Sequence, residues 1–316
     1  PTGEHSHGPT TGTDRASPPP FAYIVVFKSA QPRSPAMNTA HQVSIAQTRQ
    51  RGSRNLVHAL ALAAIGAMLP AAANAGSALF ATTNIQYLHG ANYADFNPNG
   101  GFSHDDESSI VTIEHFNVWK YGDNFIFVDI TNPDGEGDAF GTTTEADGSF
   151  YAEISPRLSI GKMFFDKELS SGIVKDLLFT STLEIPESPV EQTWLYGLAV
   201  DLNLPKFQFF QVNWYIRDNQ ASGIDTGQQV TLAWALPFKL GPVPLVFEGF
   251  FDYAWGEDPL QDNIITAPRL LVDVGDLMGV GAGKLQAGVE YQIWRNKFGI
   301  DDMDEDVAQA MVKWIW

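Results

Sequence analysis

The chain has 316 residues, with 19 lysines and arginines, 37 aspartates and glutamates, and no cysteine. A net charge of -18 excludes function through counterion release from nucleic-acid phosphates, and the fold must close without disulfides. No apolar run after residue 75 reaches the roughly 18 residues of a spanning helix, and mean hydropathy is -0.11; a helical membrane protein is excluded, whereas a β-barrel, apolar only at alternate positions, is not.

Residues 1–36 precede Met37 and are rich in Pro, Ser, Thr and Gly; they read as upstream sequence or a disordered leader. Residues 37–75 have the order of a secretory signal. Arg49, Arg51 and Arg54 give a positive start, "LVHALALAAIGAML" (56–69) an apolar stretch, and Ala73-Asn74-Ala75 a small-x-small cleavage site. The mature chain is then 76–316, about 240 residues, the size of one domain. Removing the six bases and two acids of residues 1–75 leaves 13 bases and 35 acids, a net charge of -22. Such a total repels nucleic acid and anionic lipid alike.

Alternating segments of about nine to eleven residues, each bounded by turn chemistry, predict twelve strands: 79–88, 110–119, 124–131, 149–160, 176–185, 193–203, 206–217, 227–236, 243–254, 264–273, 284–294 and 307–316. Tilted strands of that length span a bilayer core. An even count places both termini on one side, the periplasm. The alternation is plain in "FYAEISPRLSI", where Tyr151, Glu153, Ser155, Arg157 and Ser159 oppose Phe150, Ala152, Ile154, Leu158 and Ile160. In the last segment Gln309, Met311, Lys313 and Ile315 oppose Ala310, Val312, Trp314 and Trp316. The second segment fits least well, since His115 and Asn117 fall on its apolar side.

Connections sort by parity. The odd ones, 89–109, 132–148, 186–192, 218–226, 255–263 and 295–306, are long or acidic and hold about 21 acids. The even ones are mostly tight, as in "YGD" (121–123), Leu204-Pro205 and 238–242. Two even connections, 161–175 and 274–283, are longer, and the first has room for a helical turn or a strand extension. Long outer loops and short periplasmic turns mark outer-membrane barrels. Trp119, Trp194, Tyr253, Trp255, Trp294, Trp314 and Trp316 lie at or near strand ends, where girdles at the membrane interface are expected. The fold class is therefore all-β: a closed, antiparallel, 12-stranded transmembrane β-barrel. With no polar stripe on its lipid face, it is expected to be a monomer.

"VTIEHFNVWKYGDNFIFVDI" followed by "YAEISPRLSIGK", together with "GVEYQIWRNKFG" (288–299) and the terminal aromatic strand, resembles the Tsx-type nucleoside-specific outer-membrane channels and the related OmpK phage receptors. The resemblance implies a monomeric 12-stranded barrel with a narrow pore through which nucleosides and deoxynucleosides diffuse. It implies that the outer-membrane assembly machinery reads the last strand. Phages or colicins would use the outer loops.

Parity names a lining independently. Glu114, Asp129, Glu153, Glu184, Asp201, Glu248, Asp252 and Glu290 point inward, with Arg157, Arg269, Asp273 and Lys313. Phe116, Phe125, Phe127, Tyr151, Phe209, Tyr215 and Phe250 share that face. Aromatic faces stack on bases of any identity, carboxylates accept from ribose hydroxyls, and several weak sites in series suit a channel. The same residues could instead fill a plugged barrel. A general small-solute porin and a surface receptor are the other functional readings.

A barrel enzyme fits poorly. A serine hydrolase needs His beside Ser, and the mature chain has only His89, His104 and His115 and no "G-x-S-x-G". The acidic stretches "NPDGEGD" (132–138) and "DDMDED" (301–306) could hold Ca²⁺ but lack EF-hand spacing. No metal or other cofactor is expected.

Overall fold

The computed structural model describes residues 78–96, 102–133, 149–187 and 190–316. The leader, the signal segment with its Ala75 cleavage site, and most of the acidic stretch 132–138 lie outside these residues. One antiparallel sheet contains β1 (Phe80–Phe96), β2 (Phe102–Trp119), β3 (Gly122–Thr131), β4 (Ser149–Ser159), β5 (Val174–Pro186) and β6 (Thr193–Leu202). It continues through β7 (Phe209–Asn219), β8 (Gly227–Leu240), β9 (Val243–Trp255), β10 (Asn263–Thr266), β11 (Arg269–Asp273), β12 (Leu285–Arg295) and β13 (Glu305–Ile315). Two short helices, α1 (Ile160–Phe165) and α2 (Val274–Met278), occupy the two long even connections.

These thirteen strands make twelve staves, because β10 and β11 both lie between β9 and β12. The tenth stave breaks at Ala267-Pro268, where proline has no N–H to give the ladder. Gly249 on β9 accommodates the break: its φ is 153°, and a Cβ there would stand 2.6 Å from the Ala267 carbonyl oxygen. Closure comes from β13 pairing with β1, with Asn84 opposite Ile315 and Gly90 opposite Gln309. Among the described residues the closed part of the sheet leaves no strand edge to recruit another chain; beyond Gly90 and Ile110 β1 and β2 pair only with each other.

The expected outer loop 89–109 is mostly strand. β1 and β2 stay paired beyond Gly90 and Ser108, through bulges at Ala91/Tyr93 and Tyr93/Asp95, to Phe96 opposite Phe102. Asn92 takes a left-handed φ of 73° there. Beyond the bilayer neither face needs to be apolar, so the hairpin continues without the alternation that marks the other strands.

Burial alternates most plainly on β13, where inward residues are buried and outward ones exposed through ten positions, and again along β5. His115 and Asn117 do face outward. The Nδ1 of His115 lies 2.9 Å from Thr83 Oγ1, and Asn124 donates to Asn117 at 3.4 Å. Pairing across strands reduces the cost of polar groups beside lipid. Inside, Leu88, Leu271 and Met311 form a small apolar packing centre joined by Ile110.

A lumen with three ion-pair knots

Alternate residues of every stave converge on one cavity of about 2160 Å³. Its lining extends from Phe80, Lys162 and Ile315 at the end that carries the termini to Glu187, Leu260 and Lys297 at the distal end. Eighteen of the nineteen residues expected to point inward lie on this lining; Asp273 does not, because it caps α2 and accepts from Asp276 and Gly283. The lining side chains separate into three ionic knots and an aromatic face.

The knot nearest the terminal end is built on Arg157, two residues before β4 ends. Its Nε and Nη2 donate to the two oxygens of Asp123 at 2.8 and 2.7 Å, and Nη1 donates to Asp201 at 2.8 Å. Such a fork matches carboxylate geometry and holds it more strictly than a point charge. At the distal end Arg217 of β7 bonds Glu184, Glu257 and Gln229, the last two at 3.0 Å. Burial raises the Glu257 carboxyl above its usual range, and the neighbouring Arg217 draws it back.

The third knot lies midway and crosses the barrel. Arg269 on β11 donates to Glu290 at 2.5 Å and to Glu114 on β2 at 3.4 Å, with Glu248 at 3.8 Å. Lys313 of β13 reaches Glu248 at 2.7 Å. Asn84 donates to Glu114 at 3.0 Å and Gln309 to Glu290 at 2.8 Å. These side chains fill the sector of β13, β1, β2 and β10–β12.

The wall next to β2, on β3 and β4, is aromatic, with Phe127 directly opposite Glu114 in the strand pairing of the sheet. Phe125, Phe127 and Tyr151 form a ladder with ring centroids 5.8 and 5.9 Å apart, and Tyr151 donates to Glu153 at 2.7 Å. Phe116 meets Phe80 at 6.4 Å. Phe209, Tyr215 and Phe250 also line the cavity, and the Tyr215 hydroxyl lies 3.0 Å from Thr180 Oγ1. Thr112 donates to Asp129 at 2.5 Å. Asp252 has a buried Oδ1 with no hydrogen-bond partner among the described residues.

The distal mouth is narrowed by two interlocked loops. Gln261 donates its backbone N–H to Gly299 at 2.9 Å, and Asn296 donates its side-chain amide to Asp262 at 2.8 Å. Lys297 Nζ reaches Glu305 at 2.6 Å and lies above the Trp294 and Phe298 rings at 5.3 and 5.4 Å.

The aromatic residues expected in girdles divide. Trp314 and Trp316 are exposed, Trp194, Tyr253 and Trp255 are half-buried, and Trp119 is buried against Tyr121. Trp294 lines the cavity, because it shares the parity of Glu290 and Gln292. Alternation in "FFQVNWYIR" sets Arg217 on the polar side with Gln211 and Asn213, but the lining expected from sequence leaves it out. That lining also leaves out Asp123, read as a turn residue, and Glu257, read as a loop acid.

An apolar outer face, a closed sheet and a charged, aromatic lumen lined by residues from end to end define an outer-membrane β-barrel channel. The profile of the family described as nucleoside-specific channel-forming protein, Tsx, matches residues 83–314, and the chain belongs to that family. No individual curated protein matches it. The protein is thus an outer-membrane channel for nucleosides.

Proposed function

We propose that nucleosides move along the Phe125–Phe127–Tyr151 ladder and past the Arg157 knot on the same two strands, while the knots of Arg217 and Arg269 narrow the other sectors. The observation that carries this reading is the pairing of ladder and acceptor: the Tyr151 hydroxyl is already bonded to Glu153. A base stacks on the rings at roughly 1–3 kcal/mol per contact. Ribose hydroxyls donate to Glu153, Asp129 or Asp252, while the surplus of carboxylates disfavours phosphorylated substrates.

In the same reading the barrel is monomeric, with both termini in the periplasm, and the signal segment is cleaved after Ala75. Outer-membrane assembly machinery binds the β13 strand, and the distal loops are the surface available to phage or colicin. The carboxylates act as hydrogen-bond acceptors and as a charge filter rather than as catalysts. The test is single-channel conductance in planar bilayers titrated with adenosine, thymidine and a sugar. Block by nucleosides but not by sugar supports the reading. Conductance blocked by neither, or by both alike, sinks it in favour of a general porin.

A further inference from the structure

The two ends of the barrel differ in chemistry. The six connections at the distal end have two bases in them or within two residues, Lys297 and Arg295. Five turns close the terminal end, and each has a lysine in it or within two residues: Lys120, Lys162 with Lys167, Lys206, Lys239 and Lys284. Lys175 opens β5 beside them. All except Lys162 are exposed. Lys120 and Lys162 pair with Asp166 and Glu168 at 3.5 and 3.0 Å; the other five make no ion pair among the described residues.

Exposed apolar side chains are interleaved with this collar. Phe164 and Phe165 on α1 are 65% and 61% exposed, Met278 on α2 is 67% exposed, and Leu240 between them is 71% exposed. α1 lies between the fourth and fifth staves and α2 between the tenth and eleventh, so the two helices stand on opposite sides of the barrel. Each is tied down by a buried aspartate. Asp176 accepts from the N–H groups of Leu169 and Leu177 at 3.1 and 2.9 Å. Asp273 accepts from those of Asp276 and Gly283 at 3.0 and 2.6 Å. Along β5 the exposed apolar residues Phe179 and Leu177 are followed by exposed Lys175 and then by Ile173, which precedes the strand.

We propose that this end is an interaction surface for anionic phospholipid headgroups, in which the lysine collar meets the phosphates and the α1 and α2 feet enter the acyl boundary. The inference rests on the outer-membrane placement and on the terminal end facing the periplasm. Apolar rings held in water by an ordered turn are a cost that an interfacial environment removes. Lysine stems lie along apolar surface while their heads reach the phosphates. Each lysine near an anionic surface strengthens partitioning by about fivefold. Net charge alone would repel anionic lipid, but most of the loop acids lie at the other end. Of the acids here, Asp166 and Glu168 are paired with Lys120 and Lys162, Asp176 and Asp273 are buried, and Asp276 is exposed.

The test compares the thermal midpoint of the purified protein in micelles carrying phosphatidylglycerol, phosphatidylcholine or free inorganic phosphate. Phosphatidylglycerol alone should raise it, and about 1 M salt, where the screening length is about 3 Å, should abolish the rise. The combined variant Lys167→Gln, Lys206→Gln, Lys239→Gln and Lys284→Gln should keep the midpoint in plain micelles and the nucleoside block, yet lose most of the phosphatidylglycerol increment. Equal responses to both lipids, to free phosphate, or by the variant and the parent would overturn the collar. For the feet, a fluorophore on Phe164→Cys, unique in a cysteine-free chain, should be quenched by spin-labelled acyl chains in vesicles; no quenching overturns insertion. Labelling Lys206→Cys only after the outer membrane is permeabilised supports the orientation, and labelling in intact cells overturns it.

Discussion

Arg269 and Glu114, 155 residues apart in the chain, meet at 3.4 Å inside the barrel. They lie on the tenth and second staves, so the contact is a strut across the lumen rather than a neighbour pair. Removing one partner of a buried ion cluster leaves uncompensated charge and typically costs about 3–5 kcal/mol. Arg269→Ala leaves Lys313 as the one cation of the knot facing Glu114, Glu248 and Glu290. The variant should unfold at lower denaturant by about that amount and conduct more, measured by urea titration in vesicles and by single-channel recording. Unchanged conductance would mean that the knot does not narrow the path.

Arg157 grips Asp123 through two hydrogen bonds at once. Lysine keeps the charge but loses the fork, and hydrogen bonds to charged groups contribute about 1.5–3 kcal/mol. Arg157→Lys should therefore lose about 2 kcal/mol of stability while retaining the barrel, read from the same titration. A variant as stable as the parent would show that charge alone suffices there.

Phe127 is the middle ring of the ladder. Phe127→Ala should raise the half-blocking nucleoside concentration by roughly 5- to 150-fold, the equivalent of about 1–3 kcal/mol of stacking, with open-channel conductance preserved or increased. An unchanged blocking concentration would move the nucleoside path elsewhere in the lumen.

Gly197 lies where β6 meets β7, and a Cβ there would fall 1.8 Å from the Trp214 carbonyl oxygen. Backbone cannot yield as a flexible side chain can. Gly197→Val should cost at least the ~3 kcal/mol that ends the usual range for overpacking. Gel mobility with and without heating should show a reduced folded fraction. Normal folding would indicate that the two strands can separate locally without loss.

Trp316 and Thr83 exchange backbone hydrogen bonds, N–H to carbonyl at 3.0 and 3.2 Å in the two directions. Deleting Trp316 removes that pair at the seam and an exposed aromatic side chain. Folding into vesicles should slow and the barrel should open at lower denaturant, with the loss exceeding that of Trp316→Phe, which keeps the backbone bonds. Equal losses would assign the role to the indole alone.

Much of this architecture was legible in the chain because the signal for a barrel is local. Period-two alternation marks each stave and its inward face, so Glu153, Arg157 and Tyr151 could be oriented from "FYAEISPRLSI" without knowledge of their neighbours. The two long even connections were recognisable by length, and they hold α1 and α2. Where alternation stops, so did the reading. The β1–β2 hairpin continues past Gly90 because hydrogen bonding alone sustains it, and Trp294 turned inward because parity outweighs the preference of indole for an interface.

What only the tertiary structure decided is which inward groups meet. Stagger and closure bring Lys313 to Glu248 and Arg269 to Glu114, and neither depends on any periodicity in the chain. The segregation of charge has the same origin. Lysines scattered from 120 to 284 become one collar because every second connection returns to the same end. The alternation of residues is a property of the strand, whereas the company each residue keeps is a property of the closed barrel.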